Sequence, residues 1–205
     1  MTKIKYCGLS RIEDILTVNK LDIDYIGFVF AKKSRRYVTP KRALELKAHL
    51  RNNIKTLGVF VNTPVDKVVA LYKEGIIDIA QLHGNEDNEY IAKLRSICDI
   101  PIFKAFSINT ENDIKTANES MADMILLDSG KGGTGTVFDW SLLKGINRDY
   151  FLAGGLGIDN IAQAISILNP YGVDVSSGIE TDGLKDKNKM IRLASIIREE
   201  NNNGR

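Results

Sequence analysis

The sequence contains little cysteine and no long apolar run. Only Cys7 and Cys98 occur among its 205 residues, and neither belongs to a CxxC motif or to a cluster of cysteine and histidine. This scarcity argues against a disulfide framework or a metal site, and it is typical of a protein in a reducing, cytoplasmic compartment. No segment approaches the roughly 18 apolar residues of a membrane span, and the N-terminus lacks the basic and apolar regions of a signal peptide. We therefore expect no membrane association.

The sequence also lacks an excess of charge of one sign. Lysine and arginine number 28 and aspartate and glutamate 26, so the chain has no general attraction for nucleic acid or for an anionic membrane. With 43% hydrophobic and 26% charged residues, the composition is that of an ordinary globular protein. No linker or low-complexity segment divides the chain. This predicts a single domain over residues 1–205, with a frayed polar tail from about residue 200.

Eight short apolar runs, rich in β-branched residues, predict strands. They cover residues 4–7, 25–30, 56–61, 79–82, 102–106, 124–127, 151–153 and 173–176. Stretches with helical periodicity lie between them. Ser10, Thr39 and Pro64 mark helix starts, and Gly75 marks a left-handed helix end. The segment around Trp140 predicts a short helix of only about two turns.

The alternation of strands with helices indicates parallel βαβ units, and strands that are apolar throughout indicate a sheet covered on both faces. Eight such units in succession favour an α/β fold, a compact, eight-stranded parallel (β/α)8 (TIM) barrel. An open sheet of the flavodoxin type is the alternative, but it would leave three units unused. In a barrel, catalytic residues lie at the carboxyl ends of the strands.

Small residues follow the last two predicted strands. Gly154 and Gly155 follow strand seven, and Ser176, Ser177 and Gly178 follow strand eight. In barrels these two loops, with a nearby helix N-terminus, commonly bind phosphate, because glycine lets backbone N–H groups approach an anion closely. Tight turns alone would also use glycine. Two such loops at these strand positions favour a phosphorylated small-molecule ligand.

A thiol and a carboxyl group end two other predicted strands. Cys7 closes strand one and Asp128 closes strand six. Facing each other across a pocket, they would suit a general base and a general acid that move protons without a metal or a cofactor. A cysteine at a strand end is also common core filler, whereas a carboxylate after an apolar strand is harder to explain by packing.

Three further features of the strand ends stay open. The basic loop after strand two contains Arg35 and Arg36; such runs are commonly solvated, but an arginine there can also grip a substrate carboxylate through two hydrogen bonds. His83, after strand four, is either an orienting residue or a plain polar one. The glycine-rich segment 129–137 matches no nucleotide-binding fingerprint and is interpreted as a lid.

A series of short motifs runs through the chain from residue 3 to about residue 198. The motifs are KYCG, GFVF with SRRYVTP, GVFVN, QLHG, LLDS with GGTG and FDW, LAGGL with DN, and VDVSSGIE with KD. Each is weak alone, but in this order and at these intervals the series is specific. It resembles the phosphoribosylanthranilate isomerase family.

The resemblance implies a (β/α)8 barrel that performs a cofactor-free Amadori rearrangement in tryptophan biosynthesis. The substrate would be N-(5-phosphoribosyl)anthranilate and the product 1-(2-carboxyphenylamino)-1-deoxyribulose 5-phosphate. By the same resemblance, Cys7 is the general base and Asp128 the general acid. Arg36 matches the arginine that holds the anthranilate carboxylate, and Asp174 matches an aspartate near the anthranilate amine. Arg35 departs from the pattern, since many members have proline or lysine there. Barrels of this type occur as monomers or homodimers.

Other phosphate-binding barrels offer alternatives. The histidine-pathway isomerase performs the same chemistry on a larger substrate with two phosphates, but it has an aspartate where this chain has Cys7. Indole-glycerol-phosphate synthase needs a catalytic lysine and additional N-terminal structure. A barrel that binds a phosphorylated ligand without turnover is the non-enzymatic alternative, although such a protein would need no acid–base pair.

Overall fold

The fold is a closed barrel of eight parallel strands, given by a computed structural model that describes residues 1–128 and 140–203. Each strand pairs with the next in the sequence, and the last returns to pair with the first. The strands are β1 Lys3–Cys7, β2 Tyr25–Val29, β3 Lys55–Phe60, β4 Ile79–Leu82, β5 Ile102–Ser107, β6 Met124–Asp128, β7 Tyr150–Leu152 and β8 Gly172–Val175. The predicted barrel is confirmed.

Helices cover the outside of the barrel, six in the connections between strands and one after the last strand. They are α1 Ile12–Val18, α2 Pro40–Ala48, α3 Val65–Lys73, α4 Asn88–Arg95, α5 Glu111–Asn118, α6 Ile161–Leu168 and α7 Lys187–Asn203. Between β6 and β7 stands a 3-10 helix, Trp140–Gly145, where the sequence predicts a helix of two turns. None of the helices in the described part of the chain has an apolar stretch long enough to cross a membrane.

The predicted helix ends are confirmed at Thr39, Pro64 and Gly75 and wrong at Ser10; Pro64 directly precedes α3. Thr39 caps α2 by accepting a hydrogen bond from the backbone of Arg42, and Gly75 has the left-handed conformation, with φ of 69°, just after α3. Ser10 is not the N-cap of α1. The carboxylate of Asp14, inside the first turn, accepts hydrogen bonds from the backbone N–H groups of Ser10 and Arg11, and the helix starts after Arg11.

Two features near the C-terminus differ from the sequence expectation. A hairpin of two short strands, β9 Glu180–Thr181 and β10 Leu184–Lys185, follows β8, and its Asp182-Gly183 turn has positive φ at both residues. The frayed tail expected from about residue 200 is helical as far as Asn203. The side chain of Asn201 accepts from the Thr2 N–H at 2.7 Å and donates to the Thr2 carbonyl at 3.3 Å, which ties this end of α7 to the start of β1.

The core has two layers because successive side chains of each strand point to opposite faces. One layer lies between strands and helices; there the buried Tyr6 hydroxyl donates to the carbonyl of Met190 in α7. The other fills the barrel interior. Its members are Leu57, Ile79, Phe103, Ala105, Leu126, Phe151 and Ala153. Towards the carboxyl ends of the strands the interior side chains become polar, and a cavity opens. The predicted lid, residues 129–137, lies outside the described residues.

Candidate active site

A cavity of about 280 Å³ lies at the carboxyl ends of the barrel strands. It is lined by Cys7, Val29, Ser34, Arg36, Val59, Gln81, His83, Asp128, Ala153, Gly154, Gly155, Leu156, Asp174, Ser176 and Ser177. Eight of the nine site residues predicted from the sequence are in this lining; Gly178 is not. The strand ends therefore bring the thiol, the two carboxylates, the guanidinium and the small-residue loops to one space.

Cys7 ends β1 with its side chain inside the barrel, where it is buried. Its sulfur needs a glycine on the neighbouring strand, because a Cβ at Gly27 would lie 2.7 Å from Cys7 Sγ. Burial raises the pKa of the Cys7 thiol, while the positive charges of Lys5 and Lys185 oppose that shift. The thiol is not part of a disulfide.

Beneath Cys7 lies a buried ion pair that the sequence reasoning missed. Nζ of Lys5, a fully buried side chain, is 2.8 Å from Oδ1 of Asp174, and the two residues are partners in the register of β1 with β8. Burial lowers the pKa of Lys5, but the charges of Asp174 and Cys7 outweigh it and raise that pKa. The signal was present in the sequence: a lysine in an apolar strand, two residues before Cys7, shares its face with the thiol.

Asp128 ends β6 and faces His83. Nε2 of His83 is 3.7 Å from Oδ2 of Asp128, and the amide Nε2 of the buried Gln81 is 3.1 Å from His83 Nδ1. If the Gln81 amide donates, the histidine proton sits on Nε2, towards Asp128. Although 37% of the His83 side chain is accessible, the mouth of the barrel surrounds the ring, and this desolvation lowers its pKa more than Asp128 raises it. The lowered pKa favours the neutral form of His83 beside the carboxyl group.

The two arginines of the basic loop have different positions. Arg36 lines the cavity with a side chain that is 20% exposed, whereas Arg35 is 60% exposed and is absent from the lining. Both donate to Glu180, a buried residue that the sequence reasoning quoted within a motif but gave no role. Arg36 is therefore the arginine placed to meet a ligand in the cavity.

The loop after β7 is shaped by glycine and held by one asparagine. Gly154 and Gly155 have positive φ, 85° and 63°, which few other residues adopt. The side chain of Asn160, just before α6, donates to the Gly155 carbonyl and accepts from the Gly157 N–H. This arrangement presents a glycine-rich backbone close to the N-terminus of α6, which suits an anion.

The loop after β8 packs directly against the loop after β7. A Cβ at Gly178 would overlap the carbonyl oxygen of Leu156, so only glycine allows this approach. The hydroxyl of Ser176 donates to the Cys7 carbonyl at 3.0 Å. Gly178 thus lets the two loops pack together and is not itself in the cavity lining, and the part of its backbone in phosphate binding stays a prediction.

A larger groove of about 470 Å³ lies beside the cavity and shares His83 with it. Its one buried cation, Lys104, donates to the carbonyl of Gly84 at 2.6 Å and lies 3.6 Å from Glu86. The carboxylate of Glu86 in turn accepts from the backbone N–H groups of Asn62 and Gly84. These contacts hold the loops after β3 and β4 together. The smaller cavity is the better candidate active site, because it contains Cys7, Asp128 and Arg36. Among residues 1–128 and 140–203, no group of acidic, histidine and cysteine side chains is arranged to hold a metal ion.

Comparisons with known proteins agree along nearly the whole chain. Residues 4–195 match the family described as N-(5'phosphoribosyl)anthranilate (PRA) isomerase. The N-(5'-phosphoribosyl)anthranilate isomerase of Endomicrobium trichonymphae is 45% identical over 202 residues, covering 97% of this chain and 99% of that protein. The enzyme of the same name from Caldanaerobacter subterraneus is 45% identical over 204 residues, covering 97% and 98%.

Solved structures show the same fold. Phosphoribosyl anthranilate isomerase from Thermus thermophilus superposes with a TM-score of 0.88 at 30% identity, covering 97% of this chain and 99% of that one. An isomerase in complex with reduced 1-(o-carboxyphenylamino)-1-deoxyribulose 5-phosphate superposes with a TM-score of 0.85 at 32% identity, covering 97% and 100%. The Thermotoga maritima enzyme, described as dimeric, gives 0.84 at 33% identity, covering 98% and 100%. The chain therefore belongs to the N-(5'-phosphoribosyl)anthranilate isomerase family, the isomerases of tryptophan biosynthesis that its motifs resemble.

Proposed function

We propose that the cavity at the mouth of this barrel converts N-(5-phosphoribosyl)anthranilate into 1-(2-carboxyphenylamino)-1-deoxyribulose 5-phosphate, with Cys7 as general base and Asp128 as general acid. The observation that carries this proposal is the shared lining: both side chains face one cavity together with Arg36, Asp174 and the loops after β7 and β8. An acid and a base on different strands suit an isomerisation that moves protons between neighbouring atoms of one substrate.

The polar groups of the cavity match the two charged ends of this substrate. The phosphate would bind the backbone of the loops at Gly154–Gly155 and Ser176–Gly178, beside the N-terminus of α6. The anthranilate carboxylate would bind Arg36, whose guanidinium favours planar, bidentate partners. Asp174 would then lie near the anthranilate amine. Held at both ends, the ribose has its reacting carbons between the thiol and the carboxyl group.

The first step is opening of the furanose ring. Asp128, in its protonated form, donates a proton to the ring oxygen as the bond between that oxygen and C1′ breaks. The nitrogen lone pair forms a C1′=N double bond, giving a protonated Schiff base. His83, neutral and 3.7 Å from the carboxyl group, would orient Asp128 for this transfer.

The second step is removal of the proton on C2′ by the Cys7 thiolate. The electrons of the C2′–H bond form a C1′=C2′ double bond, and the electrons of the C=N bond return to nitrogen, which gives a neutral enolamine. The enolamine then gains a proton at C1′ from the Cys7 thiol and loses the proton of the C2′ hydroxyl to the Asp128 carboxylate, leaving the ketone. Atoms and electrons balance within the substrate, and both catalytic groups are regenerated in turn.

The second step depends on the fraction of the enzyme in which Cys7 is a thiolate. Burial raises the pKa of the thiol, so only part of the enzyme carries the thiolate near neutral pH, with Lys5 and Lys185 opposing the shift. The positive charge of the Schiff base formed in the first step would adjoin the thiol and favour its deprotonated form. Since the mechanism needs a reduced thiol, we also propose a cytoplasmic location.

The test is turnover of freshly generated phosphoribosylanthranilate, followed by the loss of anthranilate-type fluorescence. Wild type should be active, and Cys7→Ser and Asp128→Asn should each lose at least about a hundredfold in kcat, the amount expected when general acid–base catalysis is removed. Cys98→Ser is the matched control, because Cys98 lies at the end of α4, away from the cavity lining. It should keep wild-type activity.

Two results would contradict the proposal. A folded wild-type protein that binds a phosphorylated analogue without turning over the substrate would be a binding barrel. A Cys7→Ser variant with wild-type kcat would show that the thiol is core filler at the end of β1.

A further inference from the structure

Glu180 on β9 is a buried carboxylate at the centre of three cations. Its side chain is only 4% exposed. Oε1 accepts from Nζ of Lys185 at 2.7 Å, and Oε2 accepts from Nη2 of Arg35 at 2.7 Å. Arg36 contributes two further bonds, from Nε to Oε1 at 2.6 Å and from Nη2 to Oε2 at 2.9 Å. One negative charge thus stands against three positive ones beside the cavity.

The pair between Arg36 and Glu180 is bidentate and occupies one edge of the guanidinium. A guanidinium carries five N–H donors in a rigid plane, so the edge formed by Nε and Nη2 can be filled while Nη1 and the second hydrogen of Nη2 stay available for another carboxylate. The stem of Arg36 is held as well, since its Cδ occupies the position that a Cβ at Gly8 would take. Glu180 and Gly8 together leave the head group little freedom to rotate.

The hairpin that carries Glu180 is itself tied to the catalytic strands. Lys185 Nζ donates to the Ser176 carbonyl at 2.9 Å, and Lys189 Nζ donates to the Glu180 carbonyl at 2.7 Å. Ser176 in turn is bonded to the carbonyl of Cys7. The carboxylate is therefore fixed relative to the proposed base, and the guanidinium plane is fixed relative to the carboxylate.

We propose that Glu180 is a positioning residue that sets the plane of the Arg36 guanidinium, so that the cavity selects ligands whose aromatic amine carries a carboxylate. This inference rests on the proposed function and adds to it the group that determines specificity. The excess of positive charge around Glu180 means that the carboxylate orients Arg36 without cancelling the attraction for a second anion.

The test compares two ligands that differ only in that carboxylate. They are the reduced product analogue, with its 2-carboxyphenyl group, and the same compound with an unsubstituted phenyl group. Calorimetric titration gives the Kd of each for wild type and for Glu180→Gln. Wild type should bind the carboxylated ligand at least about tenfold more tightly, as expected for a hydrogen-bonded charge pair. In Glu180→Gln this preference should fall to about twofold or less, with the Kd of the phenyl ligand unchanged.

Two further variants separate positioning from general structure. Arg36→Lys keeps the positive charge but lacks the planar, bidentate donors of a guanidinium, so it should lose the preference for the carboxylated ligand as Glu180→Gln does. The double variant should show no further loss of that preference. Arg35→Ala is the matched control, since Arg35 touches the same carboxylate but is largely exposed and outside the cavity lining. It should keep the wild-type preference. On phosphoribosylanthranilate itself, Glu180→Gln should raise KM more than it lowers kcat.

The outcomes are separable from those of the catalytic proposal. If Glu180→Gln weakens both ligands equally, Glu180 only holds the hairpin and the inference is wrong; it is also wrong if wild type shows no preference or binds neither ligand. If wild type prefers the carboxylated ligand but does not turn over the substrate, the catalytic proposal fails and the role of Glu180 stands. Should Glu180→Gln not fold, Glu180→Asp, which keeps the charge and moves it back by one methylene, provides the same comparison.

Discussion

The two ends of the barrel use carboxylates in different ways. At the amino ends of the strands, Asp24, Asp78 and Asp123 each come just before an even-numbered strand. Each accepts a hydrogen bond from a backbone N–H in the first two residues of the preceding odd-numbered strand, at 2.9, 2.7 and 2.7 Å, and each also pairs with a lysine or arginine. These carboxylates close the ladder where a barrel strand would leave an unpaired donor.

At the carboxyl ends, two carboxylates beside the cavity pair with cations instead of with the backbone. Asp174 pairs with Lys5, and Glu180 pairs with Arg36 and Lys185. Within the described part of the chain, Oδ1 of Asp174 makes no aligned hydrogen bond beyond its ion pair. Desolvated charges that are not fully satisfied are costly, and a protein keeps them where a ligand will use them. The carboxylates at the amino end therefore satisfy the backbone of the barrel, and we propose that those at the carboxyl end are kept for a ligand.

Lys3 and Lys5 offer the largest test of this difference, because they share one face of β1, with Lys3 at its amino end and Lys5 in its middle, below Cys7. Lys5→Met should lower the free energy of unfolding by about 3–5 kcal/mol, since it leaves the Asp174 charge buried without its partner. Lys3→Met removes a pair whose lysine is 40% exposed, and it should cost at most about 1 kcal/mol. Urea denaturation measures both values.

The double variant Lys5→Met/Asp174→Asn controls for lost packing. It should recover much of the stability lost in Lys5→Met, because it removes the uncompensated charge. If the double variant is as unstable as the single one, the cost comes from packing and not from charge.

The ionisation of Cys7 gives a second test. The charged groups around it are Lys5 on its own strand, Asp174 on β8, Lys185 on β10 and Arg36 in the loop after β2. A positive charge favours the thiolate, so removal of Lys5 should raise the pKa of Cys7 further and lower the thiolate fraction at a given pH. We expect the alkylation of Cys7 by iodoacetamide at pH 8 to slow by at least about tenfold in Lys5→Met, equivalent to about one pKa unit.

That measurement needs a Cys98→Ser background so that only Cys7 reacts. Lys3→Met, at the far end of the same strand, should alkylate at the wild-type rate. An equal slowing in both variants would point to a general change in the barrel instead of to the charge beside the thiol. In Lys5→Met, the rise of kcat/KM with pH should also shift to higher pH, because that rise reports the raised pKa of Cys7.

The sequence predicts the barrel well because its signals are local. Each strand is a short apolar run bounded by polar residues, and the structure places every strand within about one residue of the prediction. The cap at Thr39 and the left-handed Gly75 also depend only on neighbouring residues. The same reasoning failed at Ser10, where Asp14 reaches back to bond two N–H groups, and at the Asp182-Gly183 turn, a hairpin signal that was overlooked.

The sequence predicts which residues lie at the end of each strand, but it does not show which of those residues contact one another. Cys7 and Asp128 were predicted because each ends a strand, whereas the choice of Arg36 over Arg35 and the role of Asp174 came from the family resemblance. The pairs that hold them join residues far apart in the chain: Lys5 meets Asp174 because β8 closes on β1, and Arg36 meets Glu180 across a separation of 144 residues. Register and closure, which a single sequence does not display, decide these contacts.

Substitution of Asp78 should give the smallest effect. This residue lies at the amino end of the barrel, so it should contribute to stability but not to activity. Its carboxylate accepts from the N–H and the hydroxyl of Thr56 and pairs with Lys47 at 2.9 Å, and although burial opposes ionisation, these bonds lower the pKa of Asp78. Asp78→Asn should cost about 1 kcal/mol of unfolding free energy near neutral pH and leave kcat and KM unchanged. Because the folded-state pKa is depressed, the stabilisation is present above the unfolded value of 3.8 and is lost as pH falls below it, so wild type and variant should converge in acid. Thermal melts at neutral pH and near the acid transition, together with one turnover assay, measure both properties. A fall in kcat would show that the amino end of the barrel also shapes the cavity, and the division between the two ends would not hold.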